Sequence, residues 1–362
     1  MTNKISSQNL QSQVIDFLRF PLIVGVLFIH NKSAMVTIAN ETFGSEAFLP
    51  LHSVCSNLLS VVLGGISVPL FFFISGFLFF LNIEKFNIQS YGNKLRTRTK
   101  TLLIPYLFWN LFLITIYAVI AIFPALKGLI SSSIEFNMSA FLHYLWDTRG
   151  GMPIVYPFWF VRDLMVVVIF TPVIFLTIKY IRIYAVIILG ILWYFNWWLA
   201  LSGFGICCMF FFSAGAYFSI NKRNIIELYA KIKLLSFILY PIIAVVDLLT
   251  IEYAYNVFIH KINIIVGILF CFNFVAHLFE KGKIKAHPFL SSASFFVFAI
   301  HNPFILIKLK DIIYKFCNPK SDIVITGLYF LIVIIVIFVA LGIYSVLRKF
   351  LPKFTAVITG GR

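Results

Sequence analysis

An arginine and a histidine, Arg19 and His30, stand eleven positions apart in the first long apolar run of the chain. On a helix that separation leaves them about 20° apart on one face and ~16 Å apart along the axis. Ionisable side chains are costly in lipid and are rarely idle there. The pair would offer a cation for negative charge at one end of the span and a base for a proton nearer the other. A snorkelling arginine and a hydrogen-bonded packing histidine are the structural alternative. A later run carries Tyr156, Pro157, Trp159 and the adjacent pair Arg162-Asp163. Helical neighbours point ~100° apart, so the two are expected to engage different partners, with an internally neutralised ion pair as the alternative. Near the end stands His301-Asn302-Pro303, where the proline frees a backbone carbonyl and kinks the helix beside an imidazole. At ~1.5 Å per residue, His30, Arg162, Asp163 and His301 fall at one depth, about 10 Å below the outer interface. A base, a carboxylate and two cations in one layer are the parts of a general acid–base site. The cluster Lys94-Leu95-Arg96-Thr97-Arg98-Thr99-Lys100 could receive a phosphorylated or nucleotide-bearing donor. Simple anchoring of a cytoplasmic segment would also explain it.

The elements that must position these residues are membrane helices. Hydrophobic residues make up 61% of the 362 residues and charged residues 12%, about half the charged share of a soluble domain. Apolar runs near twenty residues recur, long enough to cross ~30 Å of hydrocarbon. They are continuous in Phe, Ile, Leu and Val rather than alternating, which selects helices over a barrel. The expected fold is all-α, a polytopic integral membrane protein of about ten transmembrane helices. The expected spans are roughly 17–37, 58–81, 102–123, 156–178, 183–200, 204–220, 234–251, 262–279, 289–308 and 323–347. Residues 1–362 are expected to form one membrane domain with no separate soluble domain. The polar lead before Phe17 has no cleavage pattern, so the first span is expected to be retained. In the second span, Pro69 implies a kink and Ser75-Gly76 permits close helix approach.

The net charge is +16. With both termini cytoplasmic, nineteen of the twenty-nine basic residues fall on the inner side, as positive-inside topology requires. The exception is an expected outer loop at 308–320 with Lys308, Lys310, Lys315 and Lys320. Charge confined to short segments points to the bilayer and anionic lipid as partners and argues against nucleic acid. The five cysteines form no C-x-x-C pair, so neither a disulfide framework nor a metal site is expected.

Taken in order, these segments resemble acyltransferase family 3, membrane enzymes that O-acylate surface carbohydrates and related acceptors. Arg19 and His30 match its first-helix pair of an arginine, ten residues and a histidine. Pro69 to Phe77 is similar to its second helix. The basic segment with Ile104-Pro105-Tyr106 and Trp109 is similar to its third. Phe158 to Leu164 resembles its fourth, Phe211 to Phe218 its sixth, and Phe298 to Pro303 a late helix. The family often spaces two arginines as Arg-x-x-Arg before the third helix. Here Arg96 and Arg98 are one residue apart and Lys100 follows, which leaves open which cation meets the donor.

The resemblance implies transfer of an acyl group, most often acetyl, from cytoplasmic acyl-CoA to a hydroxyl of a carbohydrate or its lipid-linked precursor. It implies no permanently bound cofactor, acyl-CoA as co-substrate, and a place in the bacterial inner membrane. In that reading His30 is general base or transient acyl carrier, and Arg19 contacts the donor or stabilises developing charge. Asp163 or Arg162 orients His30 or the acceptor, and Arg96, Arg98 and Lys100 hold donor phosphates. His301, Asn302 and Trp159 bind substrate. A carrier or flippase for a lipid-linked sugar is the alternative function, and a noncatalytic membrane subunit a third. The acceptor, the acyl chain and the oligomeric state are not specified by the sequence.

Overall fold

A computed structural model describes residues 7–38, 41–83, 85–123, 135, 137–148 and 151–361. The first helix, α1, runs Ser7–His30 rather than 17–37. Its polar lead is helical because Leu10, Val14 and Leu18 repeat every four residues and continue the buried stripe of Leu22 and Val26. Its C-terminal end stops at His30, and the chain turns into an antiparallel hairpin, β1 Met35–Ile38 with β2 Glu41–Gly44.

Next come α2 (Pro50–Phe80) and α3 (Ile88–Ile122). The start of α2 is fastened by Asp322, whose carboxylate accepts from the N–H groups of Leu51 and His52, both at 2.8 Å. The start of α3 is a correction to the sequence reading, which left residues 94–100 as a loop. Asn87 and Ser90 form a reciprocal cap, and the basic cluster rides on the first turns of a helix. A short helix α4 (Met138–Trp146) follows. The expected span 156–178 is a bent pair, α5 (Tyr156–Ile169) and α6 (Thr171–Ile181), with 62° between them.

Then come α7 (Ile183–Tyr194), α8 (Ile206–Ile220), α9 (Ile225–Ala230), α10 (Lys233–Leu249) and α11 (Asn256–Glu280). The chain continues through α12 (Pro288–Cys317), α13 (Asp322–Phe350) and α14 (Pro352–Thr359). Because α12 runs to Cys317, Lys308, Lys310 and Lys315 sit on a helix and not in the loop expected at 308–320. Lys310 is buried and donates to the Ser33 carbonyl at 2.6 Å, tying α12 to the hairpin side.

Each of the ten expected positions holds helix. Among the described residues, six helices are long and apolar enough to cross a membrane, or seven if the bent pair counts as one span. The chain is therefore a multi-pass membrane protein. The helices α7, α8 and α10 have 12, 15 and 17 residues, about 18 to 26 Å of rise against ~30 Å of hydrocarbon. At one crossing, α2 and α8 approach backbone to backbone. A Cβ on Gly76 would stand 1.9 Å from the Phe212 carbonyl oxygen, and one on Gly215 1.9 Å from that of Phe73. Two glycines facing each other's backbone let the helices touch there.

Candidate active site

The two histidines singled out by the sequence meet. The rings of His30 and His301 lie 5.2 Å apart, centroid to centroid, and Tyr156 packs edge-on against His30 at 5.4 Å. Three helices deliver them: His30 ends α1, Tyr156 begins α5, and His301 sits at a break inside α12. The His30 end of α1 is held from both sides. Ser60 Oγ donates to the Phe28 carbonyl at 2.6 Å and bonds the Tyr329 hydroxyl at 2.8 Å, while Asn31 Nδ2 donates to the Tyr329 carbonyl at 2.9 Å.

The break in α12 has its origin in Pro303, which has no N–H to continue the helix. Asn302 there adopts an extended backbone, φ −137° and ψ 127°, and the Asn302–Pro303 peptide is cis. His301 is fully buried, and its Nδ1 lies 2.6 Å from the Phe298 carbonyl. A carbonyl only accepts, so Nδ1 carries the proton and the neutral ring keeps its lone pair on Nε2. That Nε2 is buried and has no hydrogen-bond partner among the described residues. Asn302 beside it is buried as well.

A cavity of about 230 Å³ lies one helical turn from the histidines and runs toward the opposite end of α1. Arg19, Ile23 and Val26 line it from α1, which places the arginine and the histidine on one stripe, as their spacing predicts. Phe298, one turn before His301, closes the near end. Ser291 and Ser294 line the same cavity from α12, and Arg98 from α3. Arg19 also pairs with Asp16 at 3.3 Å.

The basic cluster divides by face. Lys94 and Arg98, four residues apart, both lie over the Phe79 ring, at 5.9 and 5.7 Å, and Arg98 reaches the cavity. Arg96 and Lys100 are exposed on the other face. Of the three cations expected at the donor, the fold turns Arg98 inward and adds Lys94.

Arg162 and Asp163 bond each other, the internally neutralised pair that the sequence held as the alternative, and each also engages backbone partners of its own. Arg162 Nε and Nη2 donate to Asp163 Oδ1 at 3.1 and 3.0 Å, and both residues are buried. The long arginine stem curls back, which a Cα–Cβ direction does not convey. The free Nη1 donates to the carbonyls of Trp146 at 2.5 Å and Gly151 at 2.7 Å. Trp146 ends α4 and Gly205, whose N–H bonds Asp163, precedes α8. A cation thus meets a helix C-terminus and an anion a helix N-terminus, the favourable sense for both dipoles. The pair braces the segments beside the histidines. Trp159 packs on Phe72 of α2 at 6.3 Å.

Some site residues were given no role of their own by the sequence reading. Tyr156 was noted without a role; its place at the start of α5, six residues before Arg162, was the available signal. Lys94 stood in the basic cluster, and its four-residue spacing marks it as sharing the face of Arg98 once the segment is read as helix. Ser291 and Ser294 carried no signal beyond a polar face on an apolar run.

Residues 13–357 match a family model described as an acyltransferase domain, nearly the whole chain. The chain belongs to acyltransferase family 3. It is an acyltransferase. No curated protein and no solved structure matches it. For an acyltransferase, an imidazole pair with an open lone pair, next to an apolar cavity with two arginines at its far end, is a workable set of parts: a base for a hydroxyl, a slot for an acyl arm and cations for a charged donor.

Proposed function

We propose that this acyltransferase moves an acyl group, acetyl foremost, from cytoplasmic acyl-CoA to a hydroxyl of a cell-surface carbohydrate or its lipid-linked precursor, in the bacterial inner membrane. About ten crossings with both termini inside would put Arg19 and Arg98 on the donor side. The observation that carries this reading is the His30–His301 contact above a cavity that extends to those two arginines.

In the reaction, the acceptor hydroxyl attacks the thioester carbonyl carbon as His30 takes its proton. The C–O bond forms, the C–S bond breaks, and the thiolate leaves with a proton returned from the imidazolium. His301 stabilises the charged His30, because its Nε2 lone pair is open and its Nδ1–H is fixed on a carbonyl. An acyl-His30 intermediate uses the same parts in two steps. Arg98 and Arg19 hold donor phosphates, and the Phe160, Phe295 and Phe298 walls take the thioester arm. Arg162 and Asp163 act as positioning residues, with Asn302 and Trp159 on the acceptor side.

Interrupted helices, here α5 with α6 and the break at His301, also occur in carriers. Membership of an acyltransferase family favours catalysis, and the break in α12 then serves to set the buried His301 ring against His30. The test is to compare surface glycans from cells with and without the chain for ester-linked acyl groups. Loss of a specific acetyl ester supports the reading; unchanged esters with altered glycan export would support the carrier.

A further inference from the structure

Four cations gather at the Arg19 end of the bundle, outside the cavity that leads to the histidines. Lys179 and Arg182 come from the end of α6, and Lys222 and Arg223 from the turn after α8; all four line one cleft of about 400 Å³. No carboxylate is among its described lining residues, and no ion pair among the described residues includes any of the four. Crowded like charges are unfavourable unless an anion sits among them.

Four aromatic rings, Phe80, Phe86, Phe175 and Tyr217, line the cleft beside Ile83, Ile220 and Asn221. Phe86 stacks on Phe175 with centroids 4.7 Å apart, and the Arg223 guanidinium lies 5.4 Å over the Tyr217 ring. Two of the cations stand on backbone that side-chain-bearing residues rarely adopt: Arg182 at φ 58° and Lys222 at φ 52°. Such positions are ordinarily given to glycine or asparagine and cluster where a side chain is needed for function. The cleft is also joined to the path described above. Lys222 and Arg223 line a second cavity of about 630 Å³, and that cavity shares Arg19 with the one below the histidines.

We infer that this cleft binds the nucleotide end of the donor, its cations on the phosphates and its aromatic rings against the base. The inference rests on the acyl-CoA reading above and adds a second anchoring point to Arg19 and Arg98. An anionic lipid headgroup offers the same phosphate chemistry, so the experiment separates the two.

The full chain, in phosphatidylcholine nanodiscs, is titrated with coenzyme A and with 3′-dephospho-coenzyme A, as wild type, Arg182→Gly, Lys222→Asn and the double variant. Both substitutions suit the positive φ, so thermal stability is held or raised while a cation is removed. Coenzyme A affinity is expected to fall about tenfold per cation, with a loss of preference over the dephospho form. The rate ratio of acetyl-CoA to S-acetyl-N-acetylcysteamine, a thioester with no nucleotide, falls with it through KM. Unchanged coenzyme A affinity in the double variant overturns the inference. So does a loss confined to binding of phosphatidylglycerol nanodiscs. Wild type that transfers from acetyl-CoA, with variants that do so equally well, overturns the cleft alone; wild type with no affinity for coenzyme A overturns the donor reading with it.

Discussion

Replacing Arg162 with methionine removes the cation bonded to the buried Asp163 carboxylate and frees two carbonyls at once. Asp163 is 6% exposed and Arg162 3%. The substitution deletes two donors to Asp163 Oδ1 and those to the Trp146 and Gly151 carbonyls. Breaking a buried ion pair from one side costs about 3–5 kcal/mol, because the remaining charge is uncompensated. Removing both charges together, as in Arg162→Met with Asp163→Asn, should return most of that loss. The coupling between the two positions is then about 2–3 kcal/mol, the upper range for groups in one network. Thermal unfolding of the detergent-solubilised chain, run as a double-mutant cycle, measures it. Single variants as stable as wild type, or a double variant whose losses simply add, would refute the brace. The same four proteins report on function: a brace lets the refolded double variant keep measurable transfer, whereas a directly reacting carboxylate or guanidinium would not.

Three further outcomes follow from the same geometry. Gly76→Ala should destabilise by about 1–3 kcal/mol or more, since its Cβ would meet the Phe212 carbonyl at 1.9 Å; normal yield and melting temperature would contradict the close α2–α8 crossing. Arg98→Gln should raise KM for acetyl-CoA about tenfold, while Arg96→Gln and Lys100→Gln, on the exposed face, leave it within twofold or so of wild type; equal effects at all three would return the cluster to a loop-like role. His301→Phe should lower transfer by about 10²–10⁴-fold with membrane insertion intact, measured by steady-state kinetics; a full rate would make His301 a packing residue.

The stripe of Arg19 and His30 was legible because a helix fixes the angle between positions eleven apart, and α1 keeps that angle through Pro21. His301 was legible as a residue type but not as the partner of His30, because the contact depends on where α12 breaks and how α1 ends. Helix ends were misread where polar segments turned out helical. Ser7 to Asp16 carries a buried four-residue stripe, and Ile88 to Arg98 opens on an Asn87–Ser90 cap that stood in the sequence. The Arg162–Asp163 contact stood only as the alternative reading, because direction from the backbone says little about the tip of a long, flexible side chain. Run length also hid the bend at Phe170, where an apolar stretch of span length folds into two helices.

The claim on which the account depends is that His30 takes the acceptor proton at the head of a donor cavity. Purified wild type and His30→Ala in proteoliposomes, given labelled acetyl-CoA and a glycan acceptor, test it in one assay. Label should pass to the glycan with wild type and fall by about 10²–10⁴-fold with His30→Ala at equal protein incorporation. Undiminished transfer by His30→Ala would contradict it.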